Sequence, residues 1–408
     1  MARTLKIGIA GIGVGASEIL PAMESMEELE LAGGADVVPK TRELFQQRYP
    51  NAKVYDSVEK LCSDPDIEAI WVATPNRLHA EHAITALQHG KHVVVEKPMA
   101  LSLEEAEKMN EAADKSGVKL LAGHTQSFSL PVRTMRKVIL SGQLGKLCAL
   151  HLWAYSDWML RPRTADELDP SQGGGVPYRQ VPHQADTVRL LGGGKLRSVR
   201  AMTGQWMPER PIAGYYCAYL EFEDGTPASI VHNGYGYFVG NEMMPWGESK
   251  QEYDVAGRAA VRKALRTGTR DETQDKQDMR LGGRRNEAVM RRTERGPWLP
   301  GDLGFMVVSC ERGDMRHSAH GVYVYDDDGV RDMPLAGQGE KVGRRAELEE
   351  LYNGVALGKP IFHDGRWGMG TLEVSLAIVQ SAKERREVML THQVAVPPEY
   401  DADLKLES

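Results

Sequence analysis

Up to Gly123 the apolar residues concentrate in short, mostly apolar runs, separated by stretches in which they recur at helical spacing. The runs are residues 5–10, 30–35, 67–73, 92–95 and 118–122. Rich in Val and Ile, with one Trp, they suit strands buried on both faces of a sheet. Residues 17–28, 41–49, 79–89 and 103–115 carry the helical spacing. Ser102, with Glu105 three positions on, makes a capping box for the last of these helices, and Gly117 stops it. Strands alternating with helices of this length predict an α/β fold with a doubly wound parallel sheet.

Beyond Gly123 the rhythm changes. Residues 148–154, 198–203, 217–223, 229–235, 304–310 and 321–325 read as strands of a largely antiparallel open sheet. Turn signals such as Glu223-Asp224-Gly225 and Asp327-Asp328-Gly329 accompany them. Helical patterns over 130–141 and 371–386 complete an α+β domain. The expected division is a Rossmann dinucleotide-binding domain over 1–124 and a substrate-binding and oligomerisation domain over 125–408. The charge-crowded stretch 241–300 fits neither pattern. It reads as a solvated helical insertion or lid, with substrate capping or subunit contact as the alternatives.

Bulk properties narrow the partners. A chain of 408 residues exceeds one ordinary core, and a net charge of -7 gives nucleic acid or an anionic membrane nothing to hold. Four scattered cysteines without a C-x-x-C pair read as reduced, partly buried thiols, and the twelve histidines include no H-E-x-x-H. No metal is implied. The glycine-rich start is a poor export signal and no apolar run reaches membrane-spanning length, so a cytoplasmic protein is expected.

The glycine turn brings the chemistry. Gly11-Ile12-Gly13-Val14-Gly15-Ala16 matches G-x-G-x-x-G/A between a strand and a helix. Gly11 permits the tight turn, Gly13 lets backbone approach a pyrophosphate, and Ala16 allows close helix packing. The helix start offers N–H groups to the phosphates. Asp36, after the second strand, is placed to accept hydrogen bonds from ribose hydroxyls. Val37 and Val38 follow it, so NAD is favoured over NADP, although Lys40 and Arg42 are near.

Two further strings, ATPNRLHAEHA from Ala73 and EKPMALSLEEA from Glu96, join this turn in resembling the glucose–fructose oxidoreductase/inositol dehydrogenase (Gfo/Idh/MocA) family. The resemblance continues through GQLGKL from Gly142, GGGVPYRQVPHQADTVRLLGG from Gly173 and the late WGMGTLEVSLAIVQSA. It implies a cofactor wall of Thr74, Pro75, Asn76 and His79, with Glu96 near the nicotinamide ribose and Lys97 beside the nicotinamide. It also makes Lys97 and His183 the catalytic pair. The chemistry agrees: oxidising a secondary alcohol requires something to orient the hydroxyl and something to take its proton. His183, with an ordinary pKa near neutrality, suits the second task, and Asp186 would support its imidazole.

One departure redirects the substrate. Sugar-oxidising members carry D-x-G-x-H before the catalytic histidine, whereas Arg179 stands four residues before His183 here. A guanidinium is a fork for carboxylates, not a partner for neutral sugar hydroxyls. The loop YSDWMLRPRT adds Trp158, Arg161 and Arg163 as candidates for a ring bearing carboxylates. Surface pairing of these arginines with Asp157, Asp166 or Glu167 is the plainer reading. The combination resembles the members of the family that oxidise phthalate 4,5-cis-dihydrodiol to 4,5-dihydroxyphthalate. A sugar, sugar-acid or cyclitol dehydrogenase, an NAD-dependent glycosidase and a non-catalytic NAD sensor are the alternatives. The family resemblance further implies a homodimer or homotetramer.

Overall fold

The computed structural model describes residues 3–124, 126–244, 255–283, 301, 303–334 and 340–402. They form two compact units, the first drawn from Met1–Thr125, Gln274–Thr293 and Glu340–Leu372, the second from the remainder.

In the first unit, strands β1 (Leu5–Ala10), β2 (Leu29–Ala35), β3 (Lys53–Tyr55), β4 (Ala69–Val72), β5 (His92–Glu96) and β6 (Leu120–Gly123) form one parallel sheet in the order β3-β2-β1-β4-β5-β6. The strand order reverses between β1 and β4, where open α/β sheets bind ligands at the carboxyl ends of their strands. Helices α1 (Val14–Glu24), α2 (Pro39–Arg48), α3 (Val58–Cys62), α4 (His79–Gln88) and α5 (Leu103–Ser116) follow successive strands. Leu5, Ile7, Ile9, Ile19, Leu20, Phe45 and Trp71 make a dry core, joined by Leu348 and Leu351 of the late helix Glu340–Ala356. The capping box at Ser102 and Glu105 is formed, and Gly117 closes α5 in the left-handed conformation.

Helix α1 starts at Val14, three residues earlier than its apolar spacing predicts. Its first residues, Val14 and Gly15, have poor intrinsic propensity, but Ala16 and Ser17 are buried, and packing overrides propensity. Strand β3 and helix α3 escape the pattern because they are short; β3 lies at the sheet edge and is partly exposed, leaving no apolar run to detect.

The second unit is built on a nine-stranded sheet. Its members are β7 (Leu147–Tyr155), β8 (Leu196–Gly204), β9 (Tyr215–Phe222), β10 (Pro227–Asn233), β11 (Phe305–Cys310), β12 (Gly313–His317), β13 (Gly321–Asp326), β14 (Gly329–Pro334) and β15 (Val388–Met389). β7 and β10 run parallel, and the other pairs are antiparallel. Helices α6 (Leu130–Ser141) and α7 (Val176–Gly192) belong to this unit. Gln184 pins α7 to the sheet region, donating to the carbonyls of Val231 (3.2 Å) and Leu303 (2.9 Å) and accepting from the Tyr216 hydroxyl (2.7 Å).

The charged stretch contains two helices, α8 (Val255–Thr267) and α9 (Glu272–Asp278), while 245–254 and 284–300 lie outside the described residues. The four cysteines are free. Cys62 is buried, but Cys148 and Cys217 are exposed, more open than the sequence suggests, because each occupies an outward position of its strand.

Candidate active site

The cofactor side is shaped mostly by backbone. Gly11 has a φ of 88°, and a Cβ there would lie 2.8 Å from the Ala73 carbonyl oxygen and 2.9 Å from Thr74 Cα. Only glycine fits such a turn. A Cβ on Gly13 would meet nothing within 4 Å, so the face where a phosphate is expected is open. Gly13 is the N-cap of α1, and no side chain caps the first turn, leaving its N–H groups to an anion. Val14, Gly15 and Ala16 form that first turn.

Asp36 directly follows β2. Its Oδ2 accepts from the Ile12 amide at 3.0 Å and its Oδ1 from the Val38 amide at 2.8 Å, so the carboxylate is oriented by the glycine turn itself. Each oxygen retains a lone pair for a ribose hydroxyl. Arg42 donates to the Asp36 carbonyl at 2.7 Å, which ties that guanidinium to the main chain.

Thr74 and Pro75 leave the end of β4, and Asn76 opens a single 3-10 turn before His79 starts α4. His79 is buried between two loops. Its Nδ1 lies 2.7 Å from the Pro98 carbonyl and its Nε2 2.7 Å from the Thr74 carbonyl. Both ring nitrogens thus lie within hydrogen-bond distance of main-chain carbonyls. His82 Nδ1 meets the Thr74 hydroxyl at 3.0 Å. Thus His79 joins the Thr74 segment to the segment that carries Lys97.

Glu96 ends β5 and is buried, with Lys97 half-buried beside it. Glu96 Oε1 accepts from Trp71 Nε1 (3.3 Å) and from Arg344 Nη1 (2.9 Å). Nothing in the sequence pattern singled out Arg344; it lies in a charged helix with no motif. The residues present therefore fit a dinucleotide: an open glycine turn, an uncapped helix start and an oriented acid beyond the second strand.

On the substrate side, α7 is buried all round from Val176 to Leu191 except at Tyr178, Arg179 and His183. Arg179 and His183 are four residues apart and share a helix face. Asp186 is fully buried, and the His183 carbonyl accepts from the Thr187 hydroxyl at 3.0 Å.

The loop arginines do not behave alike. Arg161 pairs with Asp157 at 3.2 Å, as the plain reading of the loop has it. The Arg163 side chain is 8% exposed, its guanidinium 3.6 Å from the ring centre of buried Trp158, and it donates to the Trp158 carbonyl at 2.9 Å. Arg163 and Arg179 share one carboxylate, that of Glu167, at 3.5 and 3.3 Å. Burial pushes the Arg163 guanidinium down to about 9 despite Glu167, and burial lowers that of Arg179 against the same carboxylate. Arg163 Nε has no hydrogen-bond partner among the described residues.

Two members of this cluster were not foreseen. Arg210, its side chain 1% exposed, donates to Glu272 at 2.7 Å and to the Arg161 carbonyl at 3.2 Å. Glu272 also accepts from the Arg163 amide at 2.8 Å. It belongs to the stretch whose charge suggested a solvated surface, so that reading fails at this residue. Tyr178, next to Arg179 on α7, was not singled out either; burial raises its phenol above the ordinary range.

Residues 5–124 match the family model described as an oxidoreductase family with an NAD-binding Rossmann fold, and residues 132–249 match the GFO/IDH/MocA C-terminal domain. A 1-carboxy-3-chloro-3,4-dihydroxycyclohexa-1,5-diene dehydrogenase of Comamonas testosteroni is 32% identical over 391 residues, 93% of this chain and 95% of its own. The chain belongs to the Gfo/Idh/MocA oxidoreductases. A solved structure from Bordetella bronchiseptica RB50 is 34% identical, with a TM-score of 0.85 over 95% of this chain and all of that one. A scyllo-inositol 2-dehydrogenase (NADP(+)) of Bacillus subtilis is 35% identical over 57% of this chain. As a Gfo/Idh/MocA member the protein is an NAD-binding dehydrogenase, with the Rossmann fold matched over residues 5–124. Among the described residues no helix is long and apolar enough to cross a membrane.

Proposed function

We propose that this dehydrogenase oxidises a secondary alcohol of a carboxylated cyclic diol, with phthalate 4,5-cis-dihydrodiol as the substrate that best fits its residues. The observation that carries the reading is the sharing of Glu167 by two largely buried guanidinium groups, Arg163 and Arg179. Two guanidinium groups gathered at one carboxylate make a cationic locus whose planar forks suit a ring-borne carboxylate. The Comamonas relative, named for a carboxylated dihydroxycyclohexadiene, supports the same class.

In this reading NAD, when bound, accepts the hydride from the alcohol carbon. Lys97 orients the hydroxyl oxygen and His183 accepts its proton. The product ketone tautomerises to a catechol, so aromatisation drives the reaction and the protein's task is chiefly to hold the ring and take one proton. Arg179 and Arg163 hold ring carboxylates, and Trp158 backs Arg163.

The chain is further proposed to assemble as a homodimer or homotetramer through the outer face of its nine-stranded sheet. Met202, Cys217, Val231, Trp153 and Phe305 follow one another across five neighbouring strands, with Met202 and Trp153 markedly exposed. The deciding assay follows NADH formation with the phthalate dihydrodiol, a neutral ring cis-diol, inositols and uronates. Turnover confined to the carboxylated dihydrodiol is expected. Turnover confined to inositols or sugar acids overturns the ring assignment, and sugar release without NADH points to glycosidase chemistry.

A further inference from the structure

Arg344 sits where three carboxylates converge within the first unit. Its Nη1 contacts Glu96 Oε1 at 2.9 Å and Glu347 Oε2 at 3.2 Å, and its Nη2 reaches Glu18 Oε2 at 3.2 Å. Glu18 lies on α1, the helix that the glycine turn starts, and Glu96 ends β5. A Cβ added to Gly15 would be 3.9 Å from Glu96 Cγ, so the Glu96 side chain lies against the turn. One guanidinium therefore ties the turn helix, the acid before Lys97 and the late helix Glu340–Ala356 together. The indole of Trp71 supports the same Glu96 oxygen from the core. Both donors fall on Oε1, and Oε2 receives no hydrogen bond among the described residues.

An ion-pair hub of this kind has two possible purposes. A structural one holds the late helix to the sheet. A functional one holds Glu96 with one oxygen committed and one kept for a ligand. The division of donors between the two oxygens favours the second. A carboxylate needed only as a structural anchor gains by using both oxygens, as Glu350 does with the amides of Phe362 and His363 on one oxygen and the His363 ring on the other.

We propose that Arg344 is a positioning residue for the cofactor: it fixes the Glu96 carboxylate against the glycine turn so that Oε2 accepts a hydroxyl or amide of the bound dinucleotide. It rests on the NAD-binding character of the first unit and is independent of the substrate.

The test measures the NAD dissociation constant of the full chain by calorimetry, alongside its melting temperature. Arg344→Met raises the constant by about tenfold or more, the size of a lost charge-assisted hydrogen bond. Arg344→Lys keeps the charge but cannot span Glu96 and Glu18, and falls between the two. The neighbouring Arg345→Met removes a pair with Glu349 and leaves the constant within about twofold, as expected of a surface pair. Glu96→Gln weakens NAD alone, and adding Arg344→Met to it weakens NAD little further, since both act through one carboxylate. A folded Arg344→Met protein with wild-type affinity overturns the proposal, as do fully additive losses in the double variant. If Arg344→Met does not fold, Arg344→Lys decides, alone and combined with Glu96→Gln: wild-type affinity or full additivity overturns the proposal.

Discussion

The cofactor site is written mainly in backbone: a glycine at a φ of 88°, an uncapped helix start, and one aspartate oriented by two amides. The arginine cluster of the second unit is written in long charged side chains from separate segments, with Arg163 and Glu167 from one loop, Arg179 from α7, Arg210 from another loop and Glu272 from α9. A backbone site must be contiguous, tolerates little substitution, and recognises what all dinucleotides share. A side-chain cluster is assembled across the chain, and single replacements change which anion it holds. The contrast explains how a family with one cofactor fold accommodates cyclitols in one relative and a carboxylated diene in another.

The largest effects test whether chemistry depends on both regions. Lys97→Ala and His183→Ala should each lower kcat by about 1,000-fold, the scale of general acid–base catalysis. His183→Ala should leave the NAD dissociation constant unchanged. Turnover near wild type in both variants removes the catalytic assignment. Next comes specificity: Arg179→Leu should reduce kcat/KM on the carboxylated dihydrodiol by about 100-fold, and on a neutral ring diol by less than about threefold. Equal losses on the two substrates would make Arg179 a structural partner of Glu167 only.

A pair of glycine substitutions sharpens the backbone side. Gly13→Ala enters open space, so its melting temperature should match wild type while NAD binds about tenfold more weakly, because the methyl occupies the pyrophosphate approach. Gly11→Ala instead meets backbone at 2.8 Å with a positive φ, and should lose about 1–3 kcal/mol of stability before any ligand is added. Thermal melts and NAD titrations of both separate the two roles. Equal behaviour would mean that the turn is a structural device throughout.

This contrast also governs what could be read from sequence. Residues Gly11 to Ala16, with Asp36 beyond the second strand, announce themselves because a backbone requirement leaves glycine at fixed spacing after a strand, whereas Glu96 and Lys97 stood out only through the family resemblance of the string they begin. The parallel sheet was legible because strands buried on both faces leave short, mostly apolar runs. Arg344 was not, because it meets Glu96 across 248 residues and a charged residue on a helix carries no mark of its partner. Glu272 was hidden more deeply, inside a run whose mixed charge argues for solvent, yet one carboxylate of that run meets Arg210 and the Arg163 backbone. Arg179 showed itself only as a departure from the D-x-G-x-H pattern that the family resemblance implies.

The smallest expected effect separates arginines that the sequence could not rank. Arg161 and Arg163 stand two residues apart, yet Arg161 is 37% exposed in its side chain and paired with Asp157, while Arg163 is 8% exposed and stacked on Trp158. An exposed pair contributes about 0–1 kcal/mol because solvent and entropy offset the attraction. Arg161→Ala should therefore change kcat/KM for the carboxylated dihydrodiol by less than about threefold and leave the melting temperature nearly unmoved. A loss from Arg161→Ala as large as that from Arg179→Leu would put Arg161 in contact with substrate, and would shift the anion site from the buried cluster to the loop surface.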